Sequence, residues 1–266
     1  MDMILLAVTV AIGLSVWMAI AWACQRQVAN GGWTDVFWSF GMGPAGAAVA
    51  LWPLGGETTT RQWIAGGLIL FWSLRLGTHL FRRVAGAEED PRYAGFRKAW
   101  GKAFQPRMFG FLQAQAVSGG LLCLAILVAA RNPAPGLAWS DIAAGLIRAG
   151  GIAGESLADA QLARFRSYPP NKGKVCDVGL WGWSRHPNYF FEWTIWLAWP
   201  VMALGTSLTT WPWGWLALIG PAFMAYLLIK VSGVPPLEEA MLKSRGKAYA
   251  DYQARVSPFF PFPPKA

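Results

Sequence analysis

Apolar residues run in long blocks along this chain, separated by short polar segments. A helix needs about 20 residues to cross roughly 30 Å of hydrocarbon. Seven blocks approach that length: Met3–Cys24, Val36–Leu54, Trp63–Leu80, Phe109–Ala130, Ile142–Leu157, Tyr189–Leu204 and Trp211–Val231. Backbone groups in lipid must be satisfied within the segment, so each block is predicted as an α-helix. The fifth and sixth are short and carry ionisable residues near one end. The pattern predicts an all-α, polytopic membrane protein, a single seven-helix transmembrane domain over 1–266. Loops fall at 82–107 and 164–187, and an amphipathic tail at 233–266.

Composition points the same way. Hydrophobic residues make up 55% and charged residues 14%, against about 25% charge in a soluble domain, and mean hydropathy is +0.33. Seventeen Trp and thirty Gly suit a membrane protein, where Trp lines the interfaces and Gly is tolerated inside helices. Disorder, a disulfide-stapled secreted domain and a soluble Rossmann enzyme are excluded. The cysteines Cys24, Cys123 and Cys176 show neither zinc spacing nor a pairing framework, so no metal is expected. Ala21-Trp22-Ala23-Cys24 is superficially like a lipoprotein cleavage site, but no Lys or Arg precedes the first apolar block.

Lys and Arg number 23 against 14 Asp and Glu, a net charge of +9. The excess is not spread evenly. The third loop holds Arg82, Arg83, Arg92, Arg97, Lys98, Lys102 and Arg107. The fifth holds Arg164, Arg166, Lys172, Lys174 and Arg185, and the tail adds Lys243, Arg245, Lys247, Arg255 and Lys265. The even-numbered loops offer only Arg61 and Arg131. By the positive-inside rule the odd loops and the C-terminus are cytoplasmic and the N-terminus is outside. The charge is topological, and no nucleic-acid partner is expected. The outward loops Gly55–Arg61, Arg131–Gly136 and Gly205–Thr210 are too short for a domain, so the chemistry belongs at the cytoplasmic helix ends or in the bundle.

Ionisable residues inside a span are costly and mark candidate sites. Arg75 and His79 lie four apart on one face of the third span, which Arg82 and Arg83 continue. Arg75 lies about 10 Å from the span end, deep for a snorkelling side chain. In the fifth span Glu155 and Asp159 share a face, with Arg164 and Arg166 beyond. Those acids can pair with Arg148, Arg164 or Arg166, or accept bonds from sugar hydroxyls or an amide while the arginines hold phosphate.

The densest segment is Tyr168–Trp193. Pro169, Pro170 and Gly173 predict a stiff loop. His186-Pro187 starts a helix with Pro187 at its first position, leaving free N–H groups at Asn188 and Tyr189 as an anion-favouring turn beside Arg185. Asn188 and Glu192 are again four apart. A ligand site is predicted here. After the last span, Glu238 to Tyr252 reads as an amphipathic helix on the membrane, compatible with a lid.

These segments carry a resemblance. FRSYPPNKGKVCDVGLWGWSRHPNYFFEW, GESLADAQL before it and SGVPPLEEAMLKSRGKAYADYQARVSPFFP after it resemble the DUF1295 family, bacterial membrane proteins related to the C-terminal domain of steroid 5α-reductases. WTDVFWSFG, WSLRLGTHLFRR and EEDPRY match it too, so the resemblance covers most of the chain. It implies a seven-helix enzyme of the bacterial inner membrane that binds NADPH on the cytoplasmic side and reduces a carbon–carbon double bond conjugated to a carbonyl. Glu155 and Asp159 correspond to the helix-five positions where steroid reductases use an Asn and an Asp, and Arg166 to a phosphate contact. Asn188 and Glu192 match an NxxGE-like motif, with Phe191 standing where the family has Gly. The tail resemblance implies contacts from around Glu239 and Tyr252. The Gln-Glu pair of the steroid enzymes is absent, Asp35 being the nearest acid, and their substrate tyrosine falls at or near Trp72.

The expected reaction is hydride transfer to an enone lipid, steroid- or isoprenoid-like, entering from the bilayer. Arg75, Arg83, Arg164, Arg166 and Lys172 are expected to hold phosphates. Glu155, Asp159, Asn188 and Glu192 would fix ribose and carboxamide, with Arg185, His186 and Tyr189 lining the turn. Asp35, His79 and Tyr93 are the candidate proton donors. Two alternatives remain. RHPxY followed by Glu-Glu also resembles isoprenylcysteine and phospholipid methyltransferases, which use S-adenosylmethionine, and a non-enzymatic lipid-binding or assembly role is the other.

Overall fold

The computed structural model describes residues 2–54, 56–207 and 209–265. Gly55 and Leu208, which fall in two of the outward loops, lie outside the described residues, as do both terminal residues of the span 1–266. Among the described residues all regular structure is helical. Eleven α-helices occur in chain order: α1 Met3–Val28, α2 Trp33–Leu51, α3 Thr60–Val84, α4 Pro91–Trp100, α5 Phe104–Ala130, α6 Trp139–Ser167, α7 Pro187–Trp196, α8 Ala198–Ala203, α9 Ile219–Tyr226, α10 Val234–Arg245 and α11 Lys247–Arg255.

The apolar blocks become helices longer than the blocks themselves, because capping residues lie outside the apolar run. Asp2 caps α1 by accepting from the Leu5 N–H at 2.7 Å. Thr59 and Gln62 form a reciprocal capping box at the start of α3. The predicted loop 82–107 contains a helix: Asp90 caps α4 and Pro91 takes its first position, where a missing N–H costs nothing. The sixth block is not one helix. Pro200 has no N–H to donate to the carbonyl four residues back, and the helix breaks at Leu197 between α7 and α8. The seventh block opens as a 3-10 segment, Pro212–Leu218, and closes as a π-turn, Leu227–Val231.

Among the described residues four stretches are long and apolar enough to cross a membrane: Met3–Val28, Thr60–Val84, Pro91–Ala130 and Pro212–Arg245. The protein is an integral membrane protein by this criterion. α6 carries Asp141, Arg148, Glu155 and Asp159 within its length, and α7 and α8 are short, so neither region meets it.

The chain packs as two compact units, Met1–Ile142 with Trp199–Gly220, and Ala143–Ala198 with Pro221–Ala266, where the sequence reads as one domain. In the first unit α2 packs on α3 and α1 on α5. Met18, Met42, Ile69, Trp72, Met108, Leu112 and Ile126 form its buried interior. Arg61 is 2% exposed and makes five hydrogen bonds. Two go to Asp141 at 2.8 Å, and three to the carbonyls of Asn132, Ala134 and Gly136 at 2.7–3.0 Å. One of the two basic residues of the even-numbered loops is thus an internal clasp and presents no charge to the surface.

In the second unit the fit of α7 against α6 depends on two glycines. A Cβ at Gly154 would lie 2.3 Å from the Phe191 ring, and one at Gly151 would lie 3.1 Å from the Phe191 carbonyl. The closeness of the two backbones is what brings their polar side chains within reach.

Candidate functional site

The α6–α7 pair concentrates polar groups on one stretch. Glu155 and Asp159 sit one turn apart on α6, and Asn188 and Glu192 one turn apart on α7. Asn188 Nδ2 lies 3.5 Å from Asp159 Oδ1. Glu192 accepts the Trp196 indole N–H at 2.9 Å and interacts electrostatically with Arg148. Glu155, Glu192 and Arg148 are buried, Asp159 and Asn188 half-buried, and Arg164, Arg166 and Lys172 exposed. Buried charge in an apolar helix pair thus grades outward into an exposed cationic end. Burying several ionised groups is unfavourable unless they are paired or bind something.

A second knot holds the loop before α7 to the tail. Arg185 Nε donates to Glu238 at 2.6 Å, and Gln253 Nε2 donates to the other Glu238 oxygen at 2.8 Å. His186 Nε2 lies 3.2 Å from the same carboxylate. Arg185 also donates to the carbonyls of Gln253 and Val256. The His186 ring stacks on Tyr189, centroids 5.5 Å apart and planes within 9°. Trp181 donates to the Ala158 carbonyl and Gln161 accepts from the Leu180 N–H, both at 2.9 Å, which ties the loop to α6.

Two of the expected tail contacts have other partners. The Tyr252 hydroxyl donates to the Trp181 carbonyl at 2.6 Å, and burial pushes this phenol above its ordinary pKa. Glu239 is exposed and pairs with Lys243 one turn on. The half-buried acid of the Glu-Glu pair is Glu238, where the sequence pointed to Glu239. Helical arithmetic could have found it, since Val234 and Glu238 lie four apart and Val234 is buried.

The proposed proton donors lie in the first unit, and two of them meet. Tyr93, 1% exposed, donates to Asp35 at 2.7 Å, with the Thr34 hydroxyl 3.0 Å from the phenol oxygen. Arg92 donates to Asp35 at 2.6 Å and to Asp90 at 3.1 Å, and Arg83 reaches Asp90 at 2.5 Å. Glu89 accepts from the Gly31 N–H at 2.8 Å and from Arg97 at 2.7 Å. Burial alone would raise the Asp90 carboxyl, but Arg92 and Arg83 overcome it and hold the group below the usual carboxylate range. The same balance holds for Glu89, with burial opposed by Arg97 and the Gly31 N–H. This network joins the α1–α2 connection to the α3–α4 connection. It employs Asp35, Tyr93 and Arg83 in holding the fold. His79 is exposed and Arg75 half-buried on α3.

Residues 21–256 match the family described as "Protein of unknown function (DUF1295)". An uncharacterised protein of Schizosaccharomyces pombe, C594.04c, is 35% identical over 87 residues, covering 32% of this chain and 23% of that protein. The matched stretch is thus about a quarter of the length of that relative. No solved structure matches the chain. With most of its length inside the family match, the chain belongs to the DUF1295 family, the steroid 5α-reductase-like group.

Proposed function

We propose that the protein is an NADPH-dependent membrane reductase that transfers hydride to the double bond of an enone lipid, with its cofactor held by the α6–α7 unit. The observation that carries this reading is the gradation along α6 and α7, from the buried acids Glu155 and Glu192 through Asp159 and Asn188 to exposed Arg164 and Arg166. The donor set fits a nicotinamide dinucleotide. Acids accept from ribose hydroxyls, a primary amide complements a carboxamide, and guanidinium groups bind phosphate bidentately.

The cofactor, when bound, supplies the hydride. The chain's own residues orient and exclude. Asn188 and Asp159 would fix the nicotinamide end, and Glu155 the ribose. Arg166, Arg164 and Lys172 would neutralise the phosphates at the exposed end. Arg185 and His186, clasped by Glu238, hold the first turn of α7 in place and so position Asn188. The reading includes seven spans, an outward N-terminus and a site facing the cytoplasm.

Thermal unfolding of the purified protein with NADPH, NADH and S-adenosylmethionine tests it. Stabilisation by NADPH above the other two is expected. Preferential stabilisation by S-adenosylmethionine would replace the reductase with a methyltransferase, and no response to any of the three would favour a non-enzymatic role.

A further inference from the structure

In the first unit α1, α2 and α3 line a half-open cavity of about 650 Å³. Gly41, Pro44 and Ala45 of α2 border it together with Gly13, Trp17 and Leu74. Leu74 is 58% exposed at its rim, and α1 and α3 are both apolar enough to span a membrane. The cavity therefore opens where hydrocarbon lies.

Its two polar side chains are already engaged. The Trp17 indole donates to the Phe37 carbonyl at 2.7 Å, and the Ser73 hydroxyl donates to the Ser39 carbonyl at 2.7 Å. Neither has a donor hydrogen left for a ligand, so an occupant is recognised by the shape of its hydrocarbon. A second helix is a poor fit. The lining runs from Val10 to Trp17 on α1 and from Phe40 to Ala45 on α2, about 10 Å and 8 Å at 1.5 Å per residue. A neighbouring helix with its side chains is about 10–12 Å wide and needs several turns of contact.

We propose that this cavity is a lipid site that seats one acyl chain of a bilayer phospholipid, its headgroup remaining outside. Without a hydrophobic driving force inside the bilayer, the preference for this seat over bulk lipid comes from close van der Waals packing.

Gly13 provides the test. A Cβ there meets nothing within 4 Å, so Gly13→Leu fills the cavity from one wall without colliding with the protein, and it removes a helix-interior glycine. Gly67 on α3 also has open space around an added Cβ but does not line the cavity, so Gly67→Leu is the matched control. The protein is placed in nanodiscs containing a phosphatidylcholine with a diazirine in mid-chain, illuminated, digested and analysed by mass spectrometry. Adducts on the peptides lining the cavity are expected to exceed those on exposed Val117 and Leu121 of α5 by about tenfold. Gly13→Leu should abolish that excess while leaving Tm unchanged or raised, and Gly67→Leu should preserve it. Even labelling of both helical faces, an excess that survives Gly13→Leu, or loss of the excess when two copies share one nanodisc would overturn the proposal.

Discussion

Arg61→Ala is the most direct challenge to the architecture of the first unit. Arg61 is 2% exposed, and its ion pair with Asp141 leaves both side chains 2% exposed. Truncation strands the Asp141 carboxylate and deprives three carbonyls of their donor. Breaking a buried ion pair by removing one partner costs about 3–5 kcal/mol. Spread over a chain of this size, that corresponds to a fall in Tm on the order of 10 °C. With partly exposed Cys24 replaced by Ala, a thiol-reactive fluorophore can follow the transition, because Cys123 is 2% exposed in the same unit and becomes accessible on unfolding. Asp141→Asn should fall by a smaller margin, since the amide oxygen still accepts one of the two guanidinium bonds while the charge and the second bond are lost. Arg61→Met combined with Asp141→Leu should recover only the part that comes from the stranded charge, because the three carbonyls still lack their donor. An Arg61→Ala protein that unfolds within about 1 °C of the parent would refute the reasoning.

The remaining predictions concern the second unit and the loop network. Gly154→Ala should cost about 1–3 kcal/mol by overpacking against Phe191, and Phe191→Ala should rescue it non-additively in a double-mutant cycle measured by thermal unfolding. Glu238→Ala should cost about 3 kcal/mol by stranding Arg185, whereas Glu239→Ala should leave Tm unchanged. Tyr252→Phe should lose about 1 kcal/mol of stability with no change in NADPH affinity, and weakened affinity would return Tyr252 to the binding site. Asp90 and Glu89 have folded pKa values below their unfolded ones, so their contribution is full above the unfolded pKa of about 4 and is lost as pH falls from there through the lower folded values. Tm measured from pH 7 to pH 3 should therefore drop at the acid end, and Asp90→Asn should flatten that drop.

Much of the fold was legible in the chain because helices in apolar surroundings obey a local rule. The blocks at Met3, Trp63 and Phe109 became α1, α3 and α5, each extended where Asp2, Thr59 or the segment after Lys102 supplied a start. One break is also written locally, at Pro200, although the apolar run continues across it. α4 has a clear signature in Asp90-Pro91, hidden by the charge of its surroundings. Asn188 approaches Asp159 at 3.5 Å across two helix faces that i, i+4 spacing defines separately. What made it possible, the seat of Phe191 on Gly154, depends on two residues 37 positions apart (191 against 154) and has no local pattern. Partners such as Tyr93 with Asp35, or Tyr252 with the Trp181 carbonyl, are equally non-local. Such fold-holding partners have no signature in the spacing of the chain.

The central claim, that α6 and α7 hold a nicotinamide dinucleotide, is tested most directly by calorimetric titration of NADPH into the protein in nanodiscs. Saturable binding is predicted, weakened by about tenfold or more in Asn188→Ala and in Arg166→Ala and unaffected in Glu239→Ala. Absence of binding to the parent, or affinity unchanged in both Asn188→Ala and Arg166→Ala, would contradict it.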